Sequence, residues 1–364
     1  MNFLTCGAEE IYKTKYKEFD FLYFLDPKFT CTSAECDLYA ASAFSTFGDN
    51  ARFGRFAQSW ANSKLHELQN DPAVVSTYSE ILDNFKSYTK YPSPSLVPLN
   101  TKIVKKWIDV LGSTSPHINV EIGGANTVAL VDTGWNGTRI ETKYLLENAK
   151  GKLSFHMIDK KSLKPIGAVD FSFIDDMKIG NAEVGRTWVT SSDEESIVGF
   201  NILARFQNIQ FDRKNHLISF NVDEYGFKNC FEIYPVPMMV ANSGPGHAYL
   251  AANVEVNGKK TNAFIDTGLE SSADFLGLIS DNSLVKDMEL EDTNMATLDS
   301  NKVITRIKAA KSEVHIGNDV ISGKFSILPA YDGNPFAYAG IVLPASFFGN
   351  GNFVIDFKRK QLCY

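Results

Sequence analysis

Val120–Gly134 reads VEIGGANTVALVDTG, and Val254–Gly268 reads VEVNGKKTNAFIDTG. The two stretches align without a gap at a constant offset of 134 residues, and eight of the fifteen positions are identical. Most of the remaining positions keep their apolar or polar character. Each copy has an apolar strand, a glycine-containing turn, a second apolar strand and then Asp-Thr-Gly. A single Asp-Thr-Gly arises by accident in a chain of this length in roughly one protein in ten or twenty. Two copies that end the same hairpin do not. Carboxylates at matched positions of two similar units predict a pseudo-twofold site that holds a pair of aspartates, Asp132 and Asp266.

Working outward, three more blocks recur in order. Met177–Asn181 (MKIGN) matches Val314–Asn318 (VHIGN), Ile197-Val198-Gly199 is matched to Tyr338-Ala339-Gly340, and Phe211–Phe220 matches Ile355–Tyr364. The offset grows from 134 through 137 and 141 to 144, so small insertions separate the blocks. Both copies are therefore complete units, residues 99–235 and 236–364. From His117 onward short strands and turns dominate, which is an all-β pattern. Lys102–Leu111 fits either a helix or an edge strand. Residues 1–98 read differently. Leu38 to Phe47, Gly48-Asp49, then Ala51 to Trp60 predict an αα-hairpin, faintly tetratricopeptide-like, and a further amphipathic helix follows Asn70-Asp71-Pro72. Tyr91–Ser95, with two prolines, is the linker, and Asn242–Gly246 is the flexible approach to the second unit.

These residues resemble the retropepsin and pepsin clan of aspartic proteases. The resemblance covers residues 117–364 and rests on Asp132-Thr133-Gly134 with Ile197-Val198-Gly199, and on Asp266-Thr267-Gly268 with Ala339-Gly340. It implies a mainly β, bilobal, pseudo-twofold acid-protease fold, here preceded by an all-α N-terminal domain outside the resemblance. It also implies an endopeptidase that hydrolyses peptide bonds with a water activated between two carboxylates, Asp132 and Asp266, and that needs no metal or other cofactor. Two carboxylates about 3 Å apart cannot both ionise, so they share a proton and supply a base and an acid together. By resemblance, Thr133 and Thr267 hydrogen-bond across the lobe interface beneath the pair, and Gly134 and Gly268 permit the close turns. Trp135, Asn136, Leu269, Glu270, Gly199 and Gly340 are expected to line the substrate cleft. Flaps are expected at His156–Gly167 and Asp292–Thr305.

Two departures stand out. Trp135 and Leu269 occupy positions where the clan carries small residues, and Asn136 and Glu270 follow them. A narrowed apolar pocket is one reading, and a non-catalytic bilobal peptide-binding protein is the other. The expected partner is a peptide or protein substrate, bound by a monomer whose lobes pair within one chain. The N-terminal region is read as a packing domain, a binding domain or an inhibitory segment.

Composition limits the alternatives. A net charge of -7 without a Lys/Arg run argues against a nucleic-acid groove, and no apolar stretch reaches the length of a membrane span. The six histidines have no zinc-ligand spacing, and neither a nucleophile elbow nor a P-loop occurs. Ser271-Ser272 and Gly349–Asn352 read as turns, and Asp212 and Asp356 as solvated residues of matched closing strands. Cys6, Cys31, Cys36, Cys230 and Cys363 are an odd number, which favours isolated thiols, with Cys230 and Cys363 the pair to test first for a bridge. The first residues lack a signal peptide, which favours a cytoplasmic setting, or an exported or periplasmic one if a signal was removed. Asn136-Gly137-Thr138 is a formal N-glycosylation acceptor beside the proposed site, which argues against maturation through a glycosylating route.

Overall fold

The computed structural model describes residues 98–110, 113, 115–135, 137–158, 165–238, 247–269, 275–296, 304–328 and 339–364, with a few scattered positions between 55 and 79. The expected N-terminal helices, both linkers, the tips of the two flap candidates, Asn136, residues 270–274 and Tyr338 lie outside the described residues. Among the described residues the protein is mainly β, with three sheets and short helical turns. No described helix is long and apolar enough to cross a membrane.

The duplicated stretch folds as two hairpins. In the first, His117–Ile122 pairs with Ala125–Asp132 around Gly123-Gly124, whose φ values are +57° and +83°. In the second, His247–Val256 pairs with Lys259–Asp266 around Asn257-Gly258, at +50° and +79°. Two successive residues with positive φ make the turn that matches strand twist, which is why Gly-Gly and Asn-Gly stand at these points. Alternation then sorts the side chains. Ile118, Val120 and Ile122 are buried, whereas Asn119 is exposed and Glu121 half-buried.

Each hairpin's second strand gains a parallel neighbour that arrives from far along the chain. Ser196–Gly199 lies beside Ala125–Asp132 with Gly199 opposite Asp132, within a nine-stranded sheet. Ile341–Pro344 lies beside Lys259–Asp266 with Pro344 opposite Asp266, within an eight-stranded sheet. The counterpart of Ile197-Val198-Gly199 is therefore Val342-Leu343-Pro344, which corrects the match to Tyr338-Ala339-Gly340. The eight-stranded sheet curls until His247–Val256 also pairs with Ile304–Ile316, closing a barrel. The MKIGN and VHIGN repeats form equivalent hairpin turns, with Gly180 at φ +61° and Gly317 at +58°.

The third sheet interleaves both copies. Its order is Ile103–Lys106, Leu217–Phe220, Asn208–Asp212, Asn352–Asp356, Gln361–Cys363 and Cys230–Glu232. Gln210 faces Val354 at the antiparallel junction between copies. Below it Phe211 and Phe353 stack with centroids 4.5 Å apart, among fully buried Phe200, Phe206, Phe220, Phe348 and Phe357. Burying each such ring stabilises by about 1.5–3 kcal/mol, so this aromatic layer anchors the junction. The ambiguous segment 102–111 contributes the edge strand Ile103–Lys106.

Two sequence expectations change here. Asp356 is not solvated: it is 2 % exposed, accepts from Tyr225 Oη at 2.9 Å, and receives the Arg359 N–H at 2.7 Å. Asp212 plays the same turn-closing part by accepting from the Asn215 N–H at 3.0 Å. Cys230 and Cys363 are not isolated thiols but a disulfide, with Cα atoms 4.1 Å apart. The residues on either side explain this. Asn229 and Tyr364 exchange both backbone hydrogen bonds, so Cys230 and Cys363 form the adjacent non-hydrogen-bonded pair, where opposed side chains come closest.

Candidate functional site

The strands Ala125–Asp132 and Lys259–Asp266 end side by side, so that Asp-Thr-Gly from each copy turns against the other. Thr133 and Thr267 are fully buried. The Thr133 N–H donates to Thr267 Oγ1 at 3.0 Å, and the Thr267 N–H donates to Thr133 Oγ1 at 3.2 Å. Each hydroxyl then donates further across, Thr133 Oγ1 to Ile265 O at 2.8 Å and Thr267 Oγ1 to Val131 O at 2.7 Å. Every polar atom of both side chains is thereby used, as burial requires.

The glycines bring the carboxyl groups together. A Cβ on Gly134 would fall within 2.5 Å of both Asp266 carboxyl oxygens, and one on Gly268 would collide with the Asp132 carboxyl group. No larger residue fits either position. Asp132 Oδ1 accepts the N–H of Gly134 at 2.7 Å and of Gly268 at 3.2 Å. Asp266 Oδ1 accepts the N–H of Gly268 at 3.0 Å and of Leu269 at 2.9 Å. The two side chains are also hydrogen-bonded to each other. Both residues are 8 % exposed.

Burial raises both carboxyl groups above the ordinary carboxylate range. For Asp132 the main cause is desolvation, opposed by hydrogen bonds from Asp266 and from the Gly134, Gly268 and Trp135 backbone. Asp266 rises well above that range, through desolvation first and then the charge of Asp132. Two carboxyl groups so close and so buried do not both ionise, so the pair holds one proton in common and titrates as a unit. Such a pair can accept a proton from one ligand atom while donating one to another.

The loop after Asp132 is seated by Gly199. A Cβ there would collide with the Trp135 and Gly137 carbonyls, and the Phe200 N–H donates to Trp135 O at 2.7 Å. Thr138 Oγ1 donates to Asn201 Oδ1 at 2.9 Å and closes the loop. The Trp135 ring, 37 % exposed, lies 5.7 Å from Arg139 Cζ. Arg139 in turn donates to Ser192 Oγ at 2.6 Å and to Glu194 at 3.0 Å. Leu269 is half-buried. Gly340 stands apart: its N–H donates to Asn262 O at 2.9 Å, four residues before Asp266, so it does not join the site.

Sequence reasoning missed Ser115, Arg139 and Pro344. Ser115 is buried and its Oγ donates to Gly268 O at 3.1 Å, across from one copy to the other. Nothing local marks it. Pro344 had a signal, since Val342-Leu343-Pro344 follows the apolar-apolar pattern of Ile197-Val198, but proline stands in place of the expected glycine. No protein family matches this sequence, and no curated protein matches it either.

Proposed function

We propose that this chain is an aspartic endopeptidase of the retropepsin and pepsin type, with lobes 99–235 and 236–364 related by a pseudo-twofold axis between Asp132 and Asp266. The observation that carries this reading is the pair of buried, facing carboxyl groups beside a reciprocal threonine exchange. In the proposed mechanism a water sits between the pair. Ionised Asp132 takes its proton as the oxygen attacks the scissile carbonyl carbon, and Asp266 protonates the carbonyl oxygen. A tetrahedral diol results. Asp132 then donates its new proton to the leaving nitrogen while Asp266 recovers one from the diol, and the C–N bond breaks.

Room for a peptide is supported by the setting of Trp135. Its ring lies against Arg139, which is itself bonded to Ser192 and Glu194. The hairpin arms Lys150–Ile158 with Pro165–Ile174, and Leu290–Ala296 with Ile304–Ile316, carry the two expected flaps. One chain supplies both aspartates, so the proposed enzyme acts as a monomer on a peptide or protein substrate. The test is cleavage of an unfolded protein with and without a pepstatin-type inhibitor, beside Asp132→Asn. Inhibitor-sensitive cleavage that is lost in the variant is expected. Equal cleavage by the variant, or none by either protein across the acid to neutral range, overturns the proposal.

A further inference from the structure

The peptide group that follows Gly268 links Asp266 to a residue of the other copy. Gly268 O and Leu269 N belong to one peptide group. Its carbonyl accepts from Ser115 Oγ at 3.1 Å, and its N–H donates to Asp266 Oδ1 at 2.9 Å. Hydrogen bonds arranged in series through one peptide polarise each other. Ser115 is 3 % exposed, so its hydroxyl has no water to compete for it. It is held from two sides. Its N–H donates to Ser113 Oγ at 3.1 Å, and its carbonyl receives the His117 ring at 2.9 Å. Because a carbonyl only accepts, Nδ1 of His117 must carry the proton. The other ring nitrogen then faces Glu195 at 3.5 Å. His117 is itself buried, and its strand is fixed by the Val131 N–H bond to Pro116 O at 2.8 Å.

The sequence does not repeat the two residues that form this support. At the offset of 134 residues the position of Ser115 corresponds to Tyr249, and that of His117 to Ala251. A tyrosine cannot place a hydroxyl one carbon from the backbone, and alanine offers no ring nitrogen.

We propose that Ser115 is a positioning residue for Asp266: its hydroxyl reaches across the lobe boundary and keeps the Gly268–Leu269 peptide aimed at the inner carboxyl oxygen. His117 holds Ser115 in register. This inference rests on the aspartic peptidase reading, but its physical content does not require turnover to be measured.

The test compares Ser115→Ala and Ser115→Cys with the wild-type full chain. Loss of the series hydrogen bond weakens donation to the charged form of Asp266, so that group should hold its proton to higher pH. In Ser115→Ala the alkaline limb of the pH profile of kcat/KM should move upward. kcat should fall by about tenfold or less, the scale of one hydrogen bond, with KM unchanged. The weak thiol donor of Ser115→Cys should give a smaller shift in the same direction, and it decides the matter if the alanine variant does not fold. A merely structural loss would lower thermal stability and leave the limb in place, and that result overturns the proposal. If no cleavage is found, titration of the Asp266 carboxyl carbon by NMR tests the same shift. An unmoved titration in a folded variant refutes the role of Ser115, whereas a moved titration without cleavage refutes the peptidase reading alone.

Discussion

Thr133 and Thr267 each donate a backbone N–H to the other's hydroxyl, at 3.0 and 3.2 Å, and lie fully buried beneath the two aspartates. Removing one hydroxyl breaks its bond to the opposite strand and leaves a buried N–H without a partner. We expect Thr133→Val or Thr267→Val to destabilise the fold by about 2–4 kcal/mol, and Thr→Ser at either site to recover most of it. Chemical denaturation measures both. Equal stability of the valine and serine variants would show that the methyl packing matters and the hydroxyl does not.

Replacing either Asp132 or Asp266 by Asn removes a group needed as base or as acid. Cleavage should fall by at least roughly 10²–10⁴-fold while the fold survives, since asparagine keeps the shape and can still accept the backbone N–H bonds. Initial rates on an unfolded protein, with circular dichroism of each variant, provide the check. Full activity in either single variant would sink the shared mechanism.

The raised carboxyl group of Asp266 links stability to pH. Folding raises its pKa above the unfolded value, so in the intermediate range the folded state binds more protons than the unfolded one. That contribution is complete below the ordinary carboxylate range and is lost as pH rises through the folded value. Asp266→Asn should flatten this part of the stability profile. Denaturant midpoints read across that interval decide it, and an unchanged slope in the variant would assign the pH dependence to other groups. For the proposed activity the expected signs differ: uptake of a second proton by the pair gives an acid limb, and loss of the shared proton an alkaline one.

The Trp135 ring lies against the Arg139 guanidinium, 5.7 Å from ring centroid to Cζ. Trp135→Ala should widen the first-lobe side of the cleft and speed cleavage of substrates with bulky apolar side chains. The stability cost should be small, because the ring is more than one-third exposed. A peptide library read by mass spectrometry checks this, and unchanged preference would place the ring outside the substrate path.

Cys230 and Cys363 close a loop with a sequence separation of 133 that contains the second copy of the repeat. Constraining an unfolded chain over that length stabilises by about 2–5 kcal/mol. Cys230→Ser should lower the unfolding midpoint accordingly, and reduction of the wild type should match it. If reduction leaves the midpoint where it was, the bridge contributes nothing in solution.

Short-range chemistry determined much of this molecule. The repeat at offset 134, its alternating apolar residues and its turn residues were enough to read two hairpins ending in aspartate. Gly123-Gly124 and Asn257-Gly258 adopt positive φ because little else can. Gly134 and Gly268 could be singled out for the same local reason, although only the structure shows that each is packed against the opposite carboxyl group. Register between distant segments was not legible in this way. The pattern at 338–340 looked like the partner of 197–199, yet Pro344 stands opposite Asp266, because parallel pairing between residues 78 apart is selected by the burial of Ile341, Val342 and Leu343 and not by a glycine. The cysteine count pointed to free thiols, while the pairing of Asn229 with Tyr364 set Cys230 against Cys363. Ser115 is one serine among many until folding carries it across to Gly268. What a residue does to its neighbours along the chain was written locally. What raises the carboxyl groups of Asp132 and Asp266 arises only where the two copies meet, since desolvation and hydrogen-bond donation there depend on groups more than a hundred residues apart.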